Sequence, residues 1–238
     1  MRTEDEVKCY LPAKRTVKVD RRGDRRAFPA LLPAQIDALE EHYTITLGEI
    51  TRVAGYDCQA VLLSPKDKLR YGYKLWADVA TGMLLKAVTL DEQGKALEHF
   101  TFTQLSIGPV PLSDVRAPQT PSNWHVEDAD VTPVDLEAAG WSVSPDLPGF
   151  KKVTEVKRKL HQSRLVDQVV YSDGLAAVSV FIEQLPRDAK SQRMGLSNVG
   201  AINIYTREVA NHVVTVVGEA PALSVRRIAD TVHFRSPH

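Results

Sequence analysis

Arg70-Tyr-Gly-Tyr-Lys-Leu-Trp-Ala-Asp78 alternates with a period of two, which places Tyr71, Tyr73 and Leu75 on one face of a strand and Trp76 on the other. Working outward, Asp78-Val-Ala-Thr-Gly82 has the composition of a turn, and Met83–Leu90 reads as a second strand. Asp91-Glu-Gln-Gly94 has the length and the glycine of a short hairpin loop and leads into a third strand over Ala96–Leu105. Consecutive strands joined by hairpins make a meander. Upstream, Pro33-Ala-Gln-Ile-Asp-Ala-Leu-Glu-Glu-His-Tyr43 begins with a proline suited to a first helical turn and puts Ile36, Leu39 and Tyr43 on one side. Residues 1–107 therefore predict an antiparallel sheet with one face covered by a helix.

From Gly108 to Pro133 the composition changes. Pro109, Pro111, Pro118, Pro121 and Pro133 fall among Ser, Asp, Asn and Thr with little periodic apolar content, as in a linker or a long ordered crossover. This divides the chain into a first domain over 1–107, a connection over 108–133 and a second domain over 134–238. In the second domain, Val166–Tyr171 and Leu175–Gln184 flank Ser172-Asp-Gly174, a strong hairpin signal. Ala201–Thr206 and His212–Val217 form another pair, and Pro221 opens a helix with Ala222, Val225, Ile228, Ala229 and Val232 as its apolar stripe. The fold class expected for the whole chain is α+β.

The 238 residues suffice for one large domain or two small ones, each with its own core. Thirty basic residues balance thirty acidic ones; no global field draws the protein to nucleic acid or acidic lipid, and an electrostatic partner has to be met by a local patch. No apolar run approaches the roughly 18 residues of a membrane-spanning helix. Met1-Arg-Thr-Glu-Asp-Glu6 lacks the basic-then-apolar pattern of a secretory signal, which taken by itself places the chain in the cytoplasm. Cys9 and Cys58 both lie in strand-like stretches of the first third. As a disulfide they close a loop of about 50 residues, worth roughly 3–4 kcal/mol. Two unrelated buried thiols fit the same spacing.

Chemistry is sparse. Gly195-Leu-Ser197-Asn-Val199 misses the second glycine of a nucleophile elbow, which arrives one residue late at Gly200, and a glycine-flanked loop between strands explains it better. There is no phosphate-cradling glycine loop, no GxGxxG, no HExxH and no CxxC. The seven histidines are scattered singly. No cofactor, metal or catalytic set is expected, and the chain reads as a binding protein rather than an enzyme. Two basic clusters stand out: Arg21, Arg22, Arg25 and Arg26, and then Lys151, Lys152, Lys157, Arg158 and Lys159. Each suits either an acidic partner or a solvated strand face. Aromatic residues are not interleaved with them as a base-stacking platform requires, so no nucleic-acid partner is expected. Tyr71, Tyr73, Leu75 and Met83 would line an apolar cavity if the sheet curls away from its helix, and would form ordinary core if it does not.

The residues also carry a family resemblance. Leu47-Gly-Glu-Ile-Thr-Arg-Val-Ala-Gly55, Arg70-Tyr-Gly-Tyr-Lys-Leu-Trp76, Thr81-Gly-Met-Leu-Leu-Lys86 and Leu97-Glu-His-Phe100 resemble the N-terminal domain of RseB/MucB proteins. Gly149-Phe, Tyr171-Ser-Asp-Gly-Leu-Ala-Ala-Val-Ser-Val-Phe-Ile-Glu183, Gly200-Ala-Ile-Asn-Ile-Tyr205 and Val213-Val-Thr-Val-Val-Gly-Glu-Ala-Pro221 resemble the C-terminal domain. The resemblance implies a periplasmic negative regulator of an envelope-stress (sigma-E type) sigma factor, one that binds the periplasmic part of an RseA/MucA-type anti-sigma factor and shields it from proteolysis. It also implies an N-terminal domain like the LolA/LolB lipoprotein carriers, a curved sheet over helices that senses lipid or lipopolysaccharide. A lipid carrier or chaperone acting on its own is the alternative. Family members carry an export signal and several strands ahead of the equivalent of Glu6-Val-Lys-Cys9, and on that pattern this is a truncated or late-started form. The contact expected with the anti-sigma factor lies in the second domain, on the Lys151–Lys159 segment (Lys151, Lys152, Lys157, Arg158) and the Arg193–Asn198 loop (Arg193, Met194, Leu196). A homodimer is compatible with the same sequence.

Overall fold

The computed structural model describes residues 6–20, 28–32, 37–116, 118–128, 131–159, 164–185 and 194–235. It opens with an antiparallel hairpin, β1 (Val7–Leu11) and β2 (Thr16–Asp20), closed by a 3-10 turn at Pro12–Lys14. Cys9 pairs with Lys18 across this hairpin and is exposed. Cys58 is fully buried elsewhere, where burial pushes its thiol up. Both cysteines are free thiols, one exposed on a hairpin and the other buried in a different sheet, so of the two readings of their spacing the structure carries the unlinked one, with Cys9 exposed rather than buried.

α1 (Asp37–Glu40) is the described part of the expected helix, whose start at 33–36, Ile36 included, lies outside the described residues. Tyr43 opens β3 (Tyr43–Val53) instead of closing the helix, because Tyr43-Thr-Ile-Thr46 is an alternating aromatic and β-branched run that suits a pleated surface. β4 (Tyr56–Pro65), β5 (Gly72–Asp78), β6 (Leu84–Leu90) and β7 (Ala96–Thr101) follow in one five-stranded antiparallel meander, ordered as in the chain. The strand expected to reach Leu105 stops at Thr101. Phe102, Leu105 and Ile107 then turn under the sheet, held by the Tyr56 hydroxyl, which accepts the Ile107 N–H at 3.1 Å and donates to the Leu105 carbonyl at 3.4 Å.

This segment gives the sheet two covered faces instead of one. Tyr73 and Leu75 pack with Leu39, Tyr43, Leu63, Leu84 and Ala87. Trp76 packs on the opposite face with Cys58, Ala60 and Leu85, beneath Lys74 and Lys86, whose ammonium groups lie 5.0 and 4.3 Å from its ring centre.

The proline-rich connection is an ordered crossover. It holds α2 (Leu112–Val115), β8 (His125–Asp128), which adds parallel to β2, and β9 (Val131–Pro133), which joins the second sheet. Then come β10 (Trp141–Ser142), β11 (Lys151–Lys159), β12 (Leu165–Ser172), β13 (Ala177–Gln184), β14 (Gly195–Val199), β15 (Ile202–Val209), β16 (His212–Gly218), α3 (Ala222–Asp230) and β17 (His233–Phe234). β9 and β11–β16 build a seven-stranded sheet in the order β14-β15-β16-β13-β12-β11-β9. α3 buries Val225, Ile228 and Ala229 against its β15–β16 region, over a core of Val169, Val178, Val180, Ile182, Val214 and Val216. The described helices span only four, four and nine residues, so the molecule is mostly β-sheet rather than an even α+β mixture, and none of them is long or apolar enough to cross a membrane.

Gly218 shows how tightly the central strands meet. A methyl there would lie 2.7 Å from Val178 Cγ2 and 2.9 Å from the Ala177 carbonyl oxygen. Gly218→Ala is expected to cost about 1–3 kcal/mol through overpacking, read as a lower urea midpoint with an unchanged slope.

Candidate functional site

The two sheets meet through the β4–β5 connection, and the meeting point is built around Arg70. Asp67 takes the Leu69 N–H on Oδ1 at 2.9 Å and the Arg70 guanidinium on Oδ2 at 3.0 Å, which turns the chain so that Arg70 points into the second half. Arg70 is 1% exposed. Its Nε lies 3.1 Å from Asp173 Oδ2, and another guanidinium nitrogen donates to the Pro148 carbonyl at 2.5 Å. The rings of Tyr43 and Phe150 flank it, with centroids 5.8 and 5.5 Å from the guanidinium carbon. Asp173 belongs to the Ser172-Asp-Gly174 hairpin turn, where Oδ1 accepts the N–H groups of Leu175 and Ala176 at 3.0 and 2.9 Å. One carboxylate thus shapes the turn and pairs with the charge that crosses from the other half.

The exchange is reciprocal. Leu69 is buried in the second core and Leu175 in the first. Ser224 of α3 donates to the Leu69 carbonyl at 2.7 Å. Asn203 of β15 donates to the Tyr71 hydroxyl at 2.8 Å and to the Ala220 carbonyl at 2.9 Å. Gly149, at φ +81, lies so close to His42 that an added methyl would overlap the imidazole. Asn203→Ala removes a donor from two buried acceptors and is expected to cost about 1–3 kcal/mol, measured by thermal and urea unfolding.

Four tyrosines sit in or beside these cores. Burial pushes Tyr171 up to about 12 and carries Tyr43, Tyr73 and Tyr71 upward as well, with the Asp173 charge adding to the effect at Tyr43 and Tyr73. A tyrosine raised above its ordinary value of 10.0 binds its proton more tightly when folded. Its contribution is complete below pH about 10 and is lost as pH rises through the folded value. The melting temperature should therefore fall steeply from pH about 10 to 12, with tyrosinate absorbance appearing together with unfolding.

The residues expected to form sites are only partly brought together. Tyr73 and Leu75 share a face, Tyr71 leaves it to meet Asn203, and Met83 packs on the opposite face with the Trp76 cluster, so the four do not line one cavity. The chain alternates through β5, and a register shift between Trp76 and Ala77 changes which residues of β6 share its faces. Lys151, Lys152, Lys157 and Arg158 lie on β11. Lys151 and Lys152 are exposed, Lys152 pairs with Glu155, Lys157 Nζ is 3.3 Å from Asp167 Oδ1, and Arg158 is half-buried. Met194 and Leu196 lie on the far side of the same sheet, at its β14 edge, 49% and 55% exposed. Arg193 and the Arg21, Arg22, Arg25 and Arg26 cluster lie outside the described residues. Ser197 is exposed on β14, and among the described residues it makes no hydrogen bond to a histidine. Periodicity could not reveal Arg70, Asp173, Asn203 and Ser224; the one signal was a charge just ahead of a strand that carries Tyr73, Leu75 and Trp76.

Fold and surface together define a protein built on two large antiparallel sheets: two cores cross-linked by a buried ionic junction, with exposed strand edges at the surface. The chain belongs to the MucB/RseB family. The family's MucB/RseB N-terminal domain matches residues 1–125 and its MucB/RseB C-terminal domain matches residues 135–233. The sequence is 34% identical over 197 residues to the sigma factor AlgU regulatory protein MucB of Pseudomonas aeruginosa, covering 80% of this chain and 60% of that protein. It is 28% identical over 222 residues to the sigma-E factor regulatory protein RseB of Haemophilus influenzae, covering 88% of this chain and 65% of the relative. The chain therefore spans less than two thirds of the length of these relatives. Its structure is similar to MucB crystallised in complex with MucA(peri), with a TM-score of 0.68 at 29% identity, over 86% of this chain and 72% of the other.

Proposed function

We propose that this protein regulates an envelope-stress sigma factor by binding, holding the periplasmic segment of a MucA/RseA-type anti-sigma factor and shielding it from proteolysis. The observation that supports this most is the match of both halves, in order, to MucB, which has been crystallised with the periplasmic part of MucA. The relatives are regulatory proteins by name. The reading assigns the chain no reaction, places its work in the periplasm and gives the partner contact to the second sheet: Lys151, Lys152, Lys157 and Arg158 on β11, and Met194 and Leu196 at β14, with Arg193 beside them in the sequence. The buried Arg70 junction supports it physically, because two sheets held in a fixed relation present one preorganised surface to a partner.

The test is titration of the full chain with the periplasmic segment of its cognate anti-sigma factor, followed by proteolysis of that segment with and without the chain. Micromolar or tighter binding with slower cleavage is the expected result; no binding overturns the proposal.

A second reading, response to lipid, has one feature in its favour. Leu47, Val61, Leu75, Ala87 and Phe100 are successive cross-strand partners and share one face of the first sheet. The two ends of this apolar row are open, with Leu47 75% and Phe100 48% exposed. An acyl chain binding along it would loosen the partner only as far as its affinities for the bound and free forms differ. Anionic lipid micelles should then weaken the titrated affinity, and an unchanged affinity argues against this reading.

A further inference from the structure

We propose that β14 is the docking edge, taking an extended, uncharged, apolar segment of the anti-sigma factor as an eighth strand of the second sheet. This rests on the regulator reading above and specifies the surface and the chemistry of its partner. A strand at the edge of a sheet presents unpaired N–H and C=O groups, and proteins normally blunt such edges with charge, proline, bulges or shortness.

Three of the four edges of the two large sheets are blunted in this way. β9 is three residues long and ends in Pro133. β3 carries Glu49 and Arg52 and breaks its register between Leu47 and Ile50. β7 carries Glu98 and His99. β14 has none of these devices. It pairs with β15 in unbroken register from Gly195 opposite Thr206 to Val199 opposite Ile202, and among the described residues its other side has no strand. No charged residue or proline occurs from Met194 to Tyr205.

The side chains fit the same reading. Leu196 stands opposite Tyr205 on the face that carries α3, and Val199 stands opposite Ile202 on the other. Leu196 is 55% exposed and Val199 74%. An added strand alternates its own side chains between these two faces, so it covers an apolar residue on each while its backbone completes the ladder. Its chemistry follows from the charge pattern. With no charge along β14, an acidic or basic segment would lose hydration without gaining an ionic partner, whereas an uncharged one loses little. The basic strand β11 is five strand positions away, about 24 Å at the usual strand spacing, so a short segment on β14 does not reach it.

The test uses the full chain, the labelled periplasmic segment of the cognate anti-sigma factor, and two variants that place charge on the exposed edge, Leu196→Lys and Val199→Lys. Each should keep the wild-type circular dichroism and melting temperature and bind at least about tenfold more weakly. Glu49→Lys, exposed on the edge strand β3 of the other sheet, should change affinity less than about threefold. Hydrogen exchange at the amides of 195–199 should slow when the segment is added. Wild-type binding with unchanged affinity in both variants and no protection at 195–199 overturns the docking edge and leaves the regulator reading standing. Absence of wild-type binding overturns both. Protection of 195–199 that rises with protein concentration alone identifies a second copy of the chain as the occupant and overturns the proposal as stated.

Discussion

Arg70→Ala is expected to lower stability by about 3–5 kcal/mol, because it leaves the Asp173 carboxylate buried and unpaired. The side chains of both residues are 0% exposed, so water does not reach the orphaned charge without opening the junction. The same substitution strips the Pro148 carbonyl of its donor and removes the cation between the Tyr43 and Phe150 rings. Urea unfolding followed by far-ultraviolet circular dichroism is the measurement. Asp173→Ala should cost a comparable amount and also loosen the hairpin turn, since Oδ1 holds two backbone N–H groups there. The sharper result is the double variant Arg70→Met with Asp173→Asn, which removes both charges and should recover a large part of the loss, because breaking a buried pair costs more than replacing it. If the double variant is as damaged as the sum of the singles, the pair is not coupled and the junction is held by packing alone. The single variants should also unfold the two sheets at different denaturant concentrations, where the wild type is expected to unfold in one transition.

Trp141→Ala is the second large effect, with an expected cost of about 3–5 kcal/mol. Trp141 is 5% exposed and opens β10, a two-residue strand paired with β17 near the end of the chain. Its ring meets His212 edge-on at 5.0 Å and Phe234 at 4.9 Å between centroids. The indole therefore ties the segment leaving the crossover, the start of β16 and the strand after α3 to one core. Truncation leaves a cavity the size of an indole that two short strands cannot collapse to fill. Trp141→Phe retains the edge-on contact and should cost distinctly less, so comparison of the two variants by thermal unfolding separates cavity from contact.

What could be read in advance followed local rules. The meander from Tyr71 onward, the Asp91–Gly94 loop, the Ser172–Gly174 turn and the apolar stripe of α3 all rest on neighbours in sequence, through period-two alternation, turn composition and helical spacing. The elements misread at their ends were those where tertiary packing competes with propensity. Tyr43 looked helical because Leu39 and Tyr43 are four apart and are in fact buried together, but the alternation after it draws it into β3. Ala96–Leu105 reads as one strand because Phe102 continues the alternation of Phe100, with Leu105 just beyond. Phe102 and Leu105 instead serve the far face of the sheet.

The candidate site divides in the same way. The Arg193–Asn198 segment reads as a loop in the sequence, whereas Gly195–Val199 is strand β14; its lack of charge is a property of composition, its place at an edge is not. The grouping of the expected contact residues was not legible. Lys151–Lys159 and Met194–Leu196 lie toward opposite sides of one sheet because β15, β16, β13 and β12 stand between β14 and β11, a strand order that no local pattern records.

By itself the sequence determined the alternation that makes both sheets, the turns that join their strands, the charge balance and the uncharged run that became β14. Only the tertiary structure decided that Met83 faces away from Tyr73, that Cys9 and Cys58 stand apart, that the proline-rich stretch is stitched into two sheets, and that Arg70 and Asp173 meet. The reason is physical: period and propensity act over a few residues, whereas a buried ion pair between positions a hundred residues apart is favourable only once the surrounding apolar surfaces have already excluded water from both.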